Sequence, residues 1–484
     1  MNLARGWWQS LTLFVIAAGL RLPYLGQPHD VVFDETYYVK DGFSLWKFGY
    51  ERDAVDNANE LMLSGNTDIF TTSGSYVVHP PIGKWVIGLG EQIFGLNPFG
   101  WRFMVCLLGI LAVVLVHRIA RRLFKHELTA FLAGLFMAID GVAIVLSRTA
   151  LLDQVLMFFV LCGFGAVVRD RDWVRHRLEN SRTLGFRPWL LVALAALGLA
   201  LGTKWSAAYF ILANALLVVF FTARTRISLG HETPWKTAVV QDTLKWLPLA
   251  VIGIVAIYVA SWTGWLINDG GYLRHWAEDN PGEGITWLPE ALRSLVQYHV
   301  GAWNFHVGLT SPHSYSANPW TWPLQLRPTS FYYEQFTRGE AGCASNTCAA
   351  EVVALGNPVI WWAATLAILH QIWRSVVQRE TRSVAVVALF LAGWAPWLLY
   401  QHRTIFSFYS VVMIPFMAMA LAASLGIILG PADAGASLRR RRAFLVGGFV
   451  LLTVVVSYFM MPLWTGEIVD YNYWRLHMWL PTWI

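Results

Sequence analysis

The sequence predicts an all-α, polytopic membrane fold. Three observations support this class: a shortage of charge, a series of long apolar runs, and basic residues placed between those runs. Of the 484 residues, 56% are hydrophobic and only 14% are charged, whereas a soluble domain usually carries about 25% charged residues. This shortfall excludes a disordered chain, a nucleic-acid-binding arm and an ordinary cytosolic enzyme.

The apolar runs are long enough to cross a bilayer as helices. A spanning helix needs about 20 apolar residues to cover the ~30 Å hydrocarbon core, and its backbone hydrogen bonds close within the helix. We predict about eleven spans: 7–26, 100–117, 127–147, 151–168, 188–203, 206–222, 246–263, 357–373, 383–400, 406–429 and 443–462. The first run lacks an Ala-x-Ala cleavage pattern, so we interpret it as a retained signal anchor.

The basic residues predict the orientation of the chain. With the N-terminus in the cytosol, every inner connection carries Arg or Lys, ending with the run 439–442, as the positive-inside rule requires. An odd number of spans places the C-terminus outside. We therefore interpret the net charge of +6 as a topology signal. We predict one integral membrane domain over 1–484, whose last part, 357–484, contributes four helices.

Two long segments hold most of the polar chemistry and are predicted to lie outside the cytosol. We call 27–99 the early loop and 264–356 the late loop; both mix Trp, Tyr, Pro and charged residues. The late loop contains Cys343 and Cys348, which can form a disulfide if that loop is extracytoplasmic. No second Cys or His pair stands at metal-ligand spacing, which disfavours a zinc site.

The early loop opens with two adjacent carboxylates, Asp34 and Glu35, directly after the first span. An ionised acid at this partly desolvated depth is costly without a partner or a purpose. Neighbouring residues project about 100° apart on a helix and to opposite faces of a strand, so these two acids cannot share one task. The alternative is structural, because acids also favour the start of a helix.

Several charged residues are predicted to lie at the depth of a lipid phosphate. Guanidinium groups bind phosphate well through paired N–H donors. The residues are Arg21 and Arg102 at the outer ends of the first two spans, Arg148 and Asp153 around the next outer turn, and Arg403 between the ninth and tenth spans. Each arginine alone is also consistent with snorkelling, and Arg148 with Asp153 is also consistent with a local ion pair.

Two further groups of residues are candidates for binding. In the early loop, His79 and Lys84 flank two prolines and a glycine, which stiffen the turn and permit close approach; a capped turn before an interfacial helix is the alternative. In the late loop, aromatic residues alternate with His and Asn, a pattern typical of sugar or peptide binding and also of a membrane-interface belt. The late-loop candidates are His306, His313, Asn318, Trp320 and Trp322.

Several common catalytic motifs are absent from the sequence. It contains no P-loop, no dinucleotide-binding glycine motif, no His-Glu-x-x-His and no Gly-x-Ser-x-Gly elbow. Nucleotide-driven transport and hydrolase chemistry therefore lose most of their support. A flippase or transporter would need polar residues and broken helices near the bilayer midplane, for which Asp140 and Gly141 are the obvious candidates.

Six motifs, in this order on this span pattern, resemble the protein O-mannosyltransferase family and specifically its actinobacterial members. The motifs are Phe33-Asp34-Glu35 and the segments 79–84, 100–103, 148–153, 203–206 and 318–323. The resemblance covers nearly the whole chain. It implies the C-type glycosyltransferase (GT-C) fold and transfer of mannose from polyprenyl-phosphate-mannose to Ser or Thr hydroxyls of translocated proteins, with inversion.

The resemblance also implies roles for individual residues. Asp34 becomes the candidate catalytic base, and Arg21, Glu35 and Arg102 become donor-site residues. We add the remaining polar residues near the same depth as donor-site or phosphate-binding candidates: His79, Lys84, Arg148, Asp153 and Arg403. An inverting displacement needs a base opposite the leaving group, and a departing phosphate needs positive charge instead of a general acid.

The expected setting is the plasma membrane, with a multi-pass chain and an extracytoplasmic active site. The expected partners are polyprenyl-phosphate-mannose, secreted protein acceptors, membrane lipids and the Sec translocon, without nucleic acid. No cofactor is evident beyond the donor substrate, no metal-ligand spacing is recognisable, and divalent-metal dependence stays open. The alternatives are a related lipid-linked-sugar transferase acting on a glycan or lipid acceptor, and a lipid flippase or transporter.

Overall fold

The computed structural model describes residues 3–181, 183–430 and 435–484, and most of them are helical. The helices are α1 (Leu3–Arg21), α2 (Glu35–Phe48), α3 (Ala58–Leu63), α4 (Ile82–Phe94), α5 (Pro98–Phe124), α6 (Glu127–Ile139), α7 (Gly141–Arg148), α8 (Leu152–Ser181), α9 (Pro188–Leu201), α10 (Ala207–Ser228), α11 (Pro234–Lys236), α12 (Leu247–Ser261), α13 (Thr263–Ile267), α14 (Trp276–Asp279), α15 (Glu290–Gly308), α16 (Pro358–Val376), α17 (Thr381–Trp394), α18 (Ile414–Leu429), α19 (Ala436–Thr465) and α20 (Tyr471–Leu476).

Seven helical stretches in the described part of the chain are long and apolar enough to cross a membrane, or up to eight if α6 and α7 form one bent span. They are Pro98–Phe124, Leu152–Asn180, Ala207–Ser228, Pro234–Ser261, Thr381–Leu399, Ser407–Leu429 and Ala436–Thr465. The predicted spans 7–26, 188–203 and 357–373 coincide with α1, α9 and α16, which are not among these seven. The polytopic helical architecture is confirmed, and the number eleven stays a prediction.

Short strands interrupt the helical chain, so the prediction of an all-α fold was incomplete. In the early loop, β1 (Arg52–Ala54) pairs antiparallel with β2 (Phe70–Gly74). A second antiparallel sheet has the order β3 (Thr329–Thr337), β4 (Thr347–Ala354) and β5 (Val469–Asp470). β4 is buried almost throughout, so its sequence lacks the alternation of a half-exposed strand and cannot be told from a helical segment.

The core lies among α5, α6, α8, α16 and α18, which pack against one another. The spans of α8 and α18 are mostly buried within the protein, whereas those of α12 and α19 lie mostly at the surface. Small buried residues on α18, such as Ala418, Ala420 and Ala422, allow its neighbours to approach closely. Asp153 lies in the first turn of α8.

A 56° bend separates α6 from α7. At the bend, the carboxylate of Asp140 accepts hydrogen bonds from the Trp361 indole at 2.6 Å and the Asn357 backbone N–H at 3.2 Å. A Cβ on Gly141 would lie 2.1 Å from the Leu355 carbonyl oxygen, so only glycine fits there. Asp140 and Gly141, the candidates for a transporter site, are thus packed against residues 355–361.

Helices α2 and α4 of the early loop pack against each other at Gly42 and Gly88. A Cβ added to Gly42 would lie 2.9 Å from the backbone nitrogen of Gly88 and 2.9 Å from the carbonyl oxygen of Lys84. The two backbones can approach this closely because no side chain separates them. Since α2 begins at Glu35, this contact also helps to place Asp34.

Candidate active site

A cavity of about 410 Å³ opens between α8, α15, the residues before α10 and the turn after α17. Its charged and imidazole lining residues are His79, Asp153, Lys204, His306 and Arg403. Its aromatic walls are formed by Trp205, Tyr209, Trp303, Trp397, Tyr400 and Tyr409. Apolar walls with a few convergent polar groups are typical of a ligand site.

Asp34 lies beside this cavity, next to a buried ion pair. Lys204 Nζ is 2.8 Å and 3.0 Å from the two carboxylate oxygens of Asp153. Burial raises the pKa of Asp34 to about 6, and among the neighbouring charges Lys204 opposes this rise while Asp153 reinforces it. A carboxyl group with a pKa close to the working pH can accept a hydroxyl proton.

The half-buried Asp34 side chain precedes α2 without capping it. No capping hydrogen bond joins its carboxylate to the described residues at the helix start. The structural alternative, in which Asp34 caps the following helix, therefore has no support from its contacts. The carboxylate keeps its capacity to bind another group.

The neighbouring carboxylate, Glu35, is fully engaged and buried. Its oxygens accept two hydrogen bonds from Arg102, at 2.8 Å and 2.9 Å, and one each from the backbone N–H groups of Val32 at 3.0 Å and Ala150 at 2.9 Å. Arg102 donates its remaining bonds to backbone carbonyls, including that of Pro28 at 2.9 Å. The two residues predicted as donor-site groups form a closed structural pair.

Arg21 and Arg148 also donate their hydrogen bonds to other groups of the protein. Arg21 donates to the carbonyl of Ala138 at 2.8 Å and to the hydroxyl of Ser147 at 3.2 Å. Arg148 Nη1 donates to the carbonyls of Arg21 and Pro23, each at 2.7 Å. The sequence predicted both arginines near the phosphate; their hydrogen bonds tie the end of α1 to the α6–α7 bend, and neither residue lines the cavity.

Lys84 is buried away from the cavity lining. Its ammonium group contacts the carboxylates of Glu51 and, at 3.8 Å, Asp41. The turn between His79 and Lys84 suggested that the two side chains share a pocket. In the structure His79 lines the cavity and Lys84 does not. This ion cluster joins α2, α4 and the residue before β1.

His79 and His306 line the cavity together. Their ring centroids are 5.0 Å apart, and His306 Nε2 lies 2.9 Å from the carbonyl oxygen of Val78, to which it can donate. Burial lowers the pKa of His79 well below its ordinary value and lowers that of His306 to about 4. Both rings are therefore neutral at neutral pH, which leaves Lys204 and Arg403 as the cations of the cavity lining.

Arg403 differs from the other predicted arginines because it lines the cavity with bonding capacity to spare. Its Nε is buried and has no hydrogen-bond partner among the described residues. An unpaired N–H of a cation at a cavity wall is a suitable donor for an anionic ligand. Arg403 is thus the one predicted arginine in the lining of this cavity.

Most late-loop candidates lie elsewhere. Trp322 is buried in the core, Asn318 accepts a hydrogen bond from the backbone N–H of Trp320 at 3.1 Å, and Trp320 itself is mostly exposed. His313 contacts the rings of Phe33 and Phe406, at centroid distances of 6.3 Å and 4.9 Å. Of the five candidates, His306 lines the cavity and His313 touches the residue before Asp34.

A disulfide joins Cys343 to Cys348 where β3 turns into β4. Neither cysteine lines the cavity. Within residues 3–181, 183–430 and 435–484, no group of three or more His, Cys, Asp or Glu side chains could hold a metal ion.

Sequence reasoning did not single out Lys204. The residue lies within the quoted segment 203–206, between two predicted spans, at a turn predicted to be extracytoplasmic. A lysine there runs against the positive-inside rule, and this exception could have marked it as a functional candidate.

Comparison with known proteins places the chain in a family. The family described as dolichyl-phosphate-mannose-protein mannosyltransferase matches residues 11–265, and the C-terminal four TMM region of protein-O-mannosyltransferase matches 291–483. The polyprenol-phosphate-mannose–protein mannosyltransferase of Mycobacterium tuberculosis is 34% identical over 99% of this chain and 92% of its own. The protein of the same name from Corynebacterium glutamicum is 31% identical, over 93% and 88%.

Solved structures show the same fold. The Saccharomyces cerevisiae protein O-mannosyltransferase Pmt1-Pmt2 complex bound to the sugar donor matches with a TM-score of 0.74 at 15% identity, covering 100% of this chain and 93% of that one. ArnT from Cupriavidus metallidurans bound to undecaprenyl phosphate matches with a TM-score of 0.51 at 16% identity, over 95% and 73%. The predicted GT-C fold is confirmed, and the chain belongs to the protein mannosyltransferase family of glycosyltransferases.

Proposed function

We propose that this enzyme transfers mannose from polyprenyl-phosphate-mannose to Ser or Thr hydroxyls of secreted proteins, with inversion at the anomeric carbon. The observation that carries the proposal is the pairing of a half-buried carboxylate, Asp34, with a cavity whose lining holds Lys204 and Arg403. A base and a set of cations beside one cavity are the two requirements of a displacement that releases a phosphate. The names of the full-length relatives give the donor and the acceptor class.

The transfer is a single displacement. The acceptor hydroxyl oxygen attacks C1 of the mannose from the face opposite the phosphate, and Asp34 accepts the hydroxyl proton. The bond between C1 and the phosphate oxygen breaks, and its electron pair leaves with the phosphate. The lipid phosphate is a stable anion, so no general acid is needed to protonate it.

Lys204 and Arg403 are the residues we assign to the leaving phosphate. Both are cations of the cavity lining, and fixed positive charge in a water-poor site stabilises an anion that forms as the bond breaks. Arg21, Glu35, Arg102 and Arg148, which the sequence suggested for the donor site, have their hydrogen bonds engaged with the protein. Their role in our proposal is to hold the loop that carries Asp34.

The aromatic walls of the cavity suit a mannosyl lipid. Trp205, Trp397 and Tyr400 offer flat apolar faces for a sugar ring and for the first prenyl units. His79 and His306, as neutral rings, can exchange hydrogen bonds with sugar hydroxyls without adding charge. Asp153 holds Lys204 in place through their ion pair.

The finer topology belongs to the same proposal. We place eleven spans in the plasma membrane, with the N-terminus in the cytosol, the C-terminus outside, and the early and late loops on the extracytoplasmic side. Inner connections rich in arginine support this orientation. An outer active site lets acceptors arrive from the Sec translocon and the donor arrive through the outer leaflet lipids.

The test is an acceptor competition with the purified protein in detergent. Radiolabelled polyprenyl-phosphate-mannose is offered with a Ser/Thr-rich peptide, the same peptide with every Ser and Thr replaced by Ala, and a lipid or oligosaccharide acceptor. We expect label on the Ser/Thr peptide alone. Label on the lipid or glycan instead would contradict the proposal in favour of a related transferase, and donor movement across vesicles without transfer would favour a flippase.

A further inference from the structure

Phe33, the residue before Asp34, has an unusual backbone conformation. Its φ is +50°, in the left-handed region that residues with a Cβ rarely adopt. Such a conformation persists when the surrounding structure determines it and recurs next to functional groups. The observation therefore raises the question of what holds Phe33 and what that achieves.

An aromatic box holds the Phe33 ring. The ring stacks on the Phe331 ring, with the two centroids 4.8 Å apart. The rings of Phe408, Phe406 and His313 are nearly perpendicular to it, with centroid distances of 5.6 Å, 5.7 Å and 6.3 Å. Stacked and edge-to-face arrangements at these distances are the favoured geometries of aromatic pairs. The box thus fixes both the position and the tilt of one ring.

The walls of the box come from distant parts of the chain. Phe331 belongs to β3, Phe406 and Phe408 lie just before α18, and His313 lies in the late loop. The loop of His313 is held in turn by Arg327, which donates to the carbonyl of Ser314 at 2.8 Å. The C-terminal half of the protein therefore reaches the residue beside the proposed base.

On the other side of Asp34, the backbone is fixed by Glu35. The N–H of Glu35 donates to the Val32 carbonyl at 3.0 Å, and the Glu35 carboxylate accepts from the Val32 N–H at 3.0 Å. Asp34 thus lies between two fixed points, the Phe33 ring and the Glu35–Arg102 pair. Its own side chain is not restrained by a capping bond to the described helix start, so the flanking backbone sets its direction.

We propose that Phe33 is a positioning residue: its ring, seated in the aromatic box of Phe331, Phe406, Phe408 and His313, maintains the left-handed turn that directs the Asp34 carboxylate toward the cavity. This inference rests on the proposed function, in which Asp34 is the base. Phe33 touches no reacting atom. It acts through the backbone that it holds.

The test compares Phe33→Leu and Phe33→Gly with a matched control, Phe94→Leu. Phe94 also belongs to an aromatic cluster, with Phe99 and Phe103, but that cluster does not line the cavity. Leucine keeps a side chain and loses the ring, whereas glycine loses the ring and accepts a positive φ without strain. Peptide transfer is measured as kcat and donor KM, together with the pH dependence of kcat and the unfolding temperature in detergent.

We expect kcat to fall on the order of 10- to 100-fold in both Phe33 variants, because a misdirected reactive group loses rate without losing substrate binding. Donor KM should stay within about twofold, and the acid limb of the pH profile should move to lower pH as Asp34 gains contact with water. Phe94→Leu should keep normal kcat. Phe33→Tyr, which keeps the ring, should retain most of the activity.

Two results would overturn the inference. One is a kcat within twofold of the parent in Phe33→Leu or in Phe33→Gly, since the ring would then be dispensable. The other is a loss confined to donor KM or to the unfolding temperature. If the Phe33 variants fail to fold, Phe406→Leu, which removes one wall of the box, carries the same expectation and the same contrary result.

The outcome is separable from that of the proposed function. If Asp34→Asn is inactive and Phe33→Leu is normal, this inference fails while the assignment of the base stands. If Asp34→Asn turns over normally, the assignment of the base fails first, whatever the Phe33 variants do.

Discussion

Two groups of charged residues, most of them near helix ends, differ in what surrounds their side chains. The anchor cluster, Arg21, Glu35, Arg102 and Arg148, is buried and bonded to described carbonyls, N–H groups and each other. The cavity cluster, Asp34, Asp153, Lys204 and Arg403, lies in or beside an open space. The cavity separates the two groups: Asp153, Lys204 and Arg403 line it, and none of the four anchor residues does.

The difference is sharpest between Asp34 and Glu35, which are neighbours in the chain. Glu35 accepts four hydrogen bonds from described residues, two of them from a cation. Asp34 makes no capping bond at the described helix start, and its pKa is raised by burial. Adjacent acids project in different directions, so one can serve the scaffold while the other faces the cavity.

The largest expected effect is the contrast between Asp34→Asn and Glu35→Gln. Asp34→Asn should lower kcat by about 10²- to 10⁴-fold, because the base is lost. Its unfolding temperature should stay near that of the parent. Glu35→Gln should lower stability by about 3–5 kcal/mol, because it leaves Arg102 buried without its counter-ion. Peptide transfer and thermal unfolding in detergent measure the two effects.

An exposed acid of the same loop supplies the control. Asp56→Asn should leave both activity and stability unchanged, since Asp56 is exposed. Normal turnover in Asp34→Asn, or an unchanged unfolding temperature in Glu35→Gln, would remove the distinction between the two acids.

The next contrast compares two arginines. Arg403→Ala should lower kcat/KM for the donor by about 10²- to 10³-fold, since a cation facing the developing phosphate is removed, with little change in unfolding temperature. Arg102→Ala should instead unfold at a clearly lower temperature. A stable Arg102→Ala enzyme with weak donor binding would return Arg102 to the donor site and contradict its place in the anchor cluster.

The smallest effect concerns pH. Asp34 must be deprotonated to act as a base, and burial raises its pKa to about 6. The rate should therefore rise with pH through about 6 and fall away below it. Because Lys204 lowers the pKa of Asp34, Lys204→Gln should move the acid limb of the pH–rate profile to higher pH. An acid limb that moves to lower pH, or that does not move, would contradict this coupling.

Much of the architecture could be predicted from the residues because the backbone hydrogen bonds of a membrane helix join residues close together in the sequence. Each predicted span overlaps a helix, since apolar runs of that length have one low-energy solution in hydrocarbon. The strands could not be predicted in the same way. β4 finds its partners in β3 and in β5, more than 100 residues further along the chain in the latter case. Pairing at such separation leaves no local pattern.

The candidate site was predictable in part. Asp34, Asp153 and Arg403 were singled out because charged residues at a membrane boundary are costly and need a reason. The same reasoning also selected Arg21 and Arg148, because the cost of burial is the same for a structural arginine and for a ligand-binding one. His79 was singled out by the proline–glycine turn that follows it, and His306 by the aromatic pattern of the late loop. Lys204 was passed over as one residue of a short turn.

The sequence by itself determined that the chain is a helical membrane protein of this family, and it predicted that Asp34 and Glu35 have separate tasks. Composition, span length and residue order are properties of the chain alone. Only the tertiary structure decided which cations serve the anchor cluster and which face the cavity. That choice depends on which carbonyls and carboxylates lie within hydrogen-bonding distance, and those partners come from helices that meet only once the protein has folded.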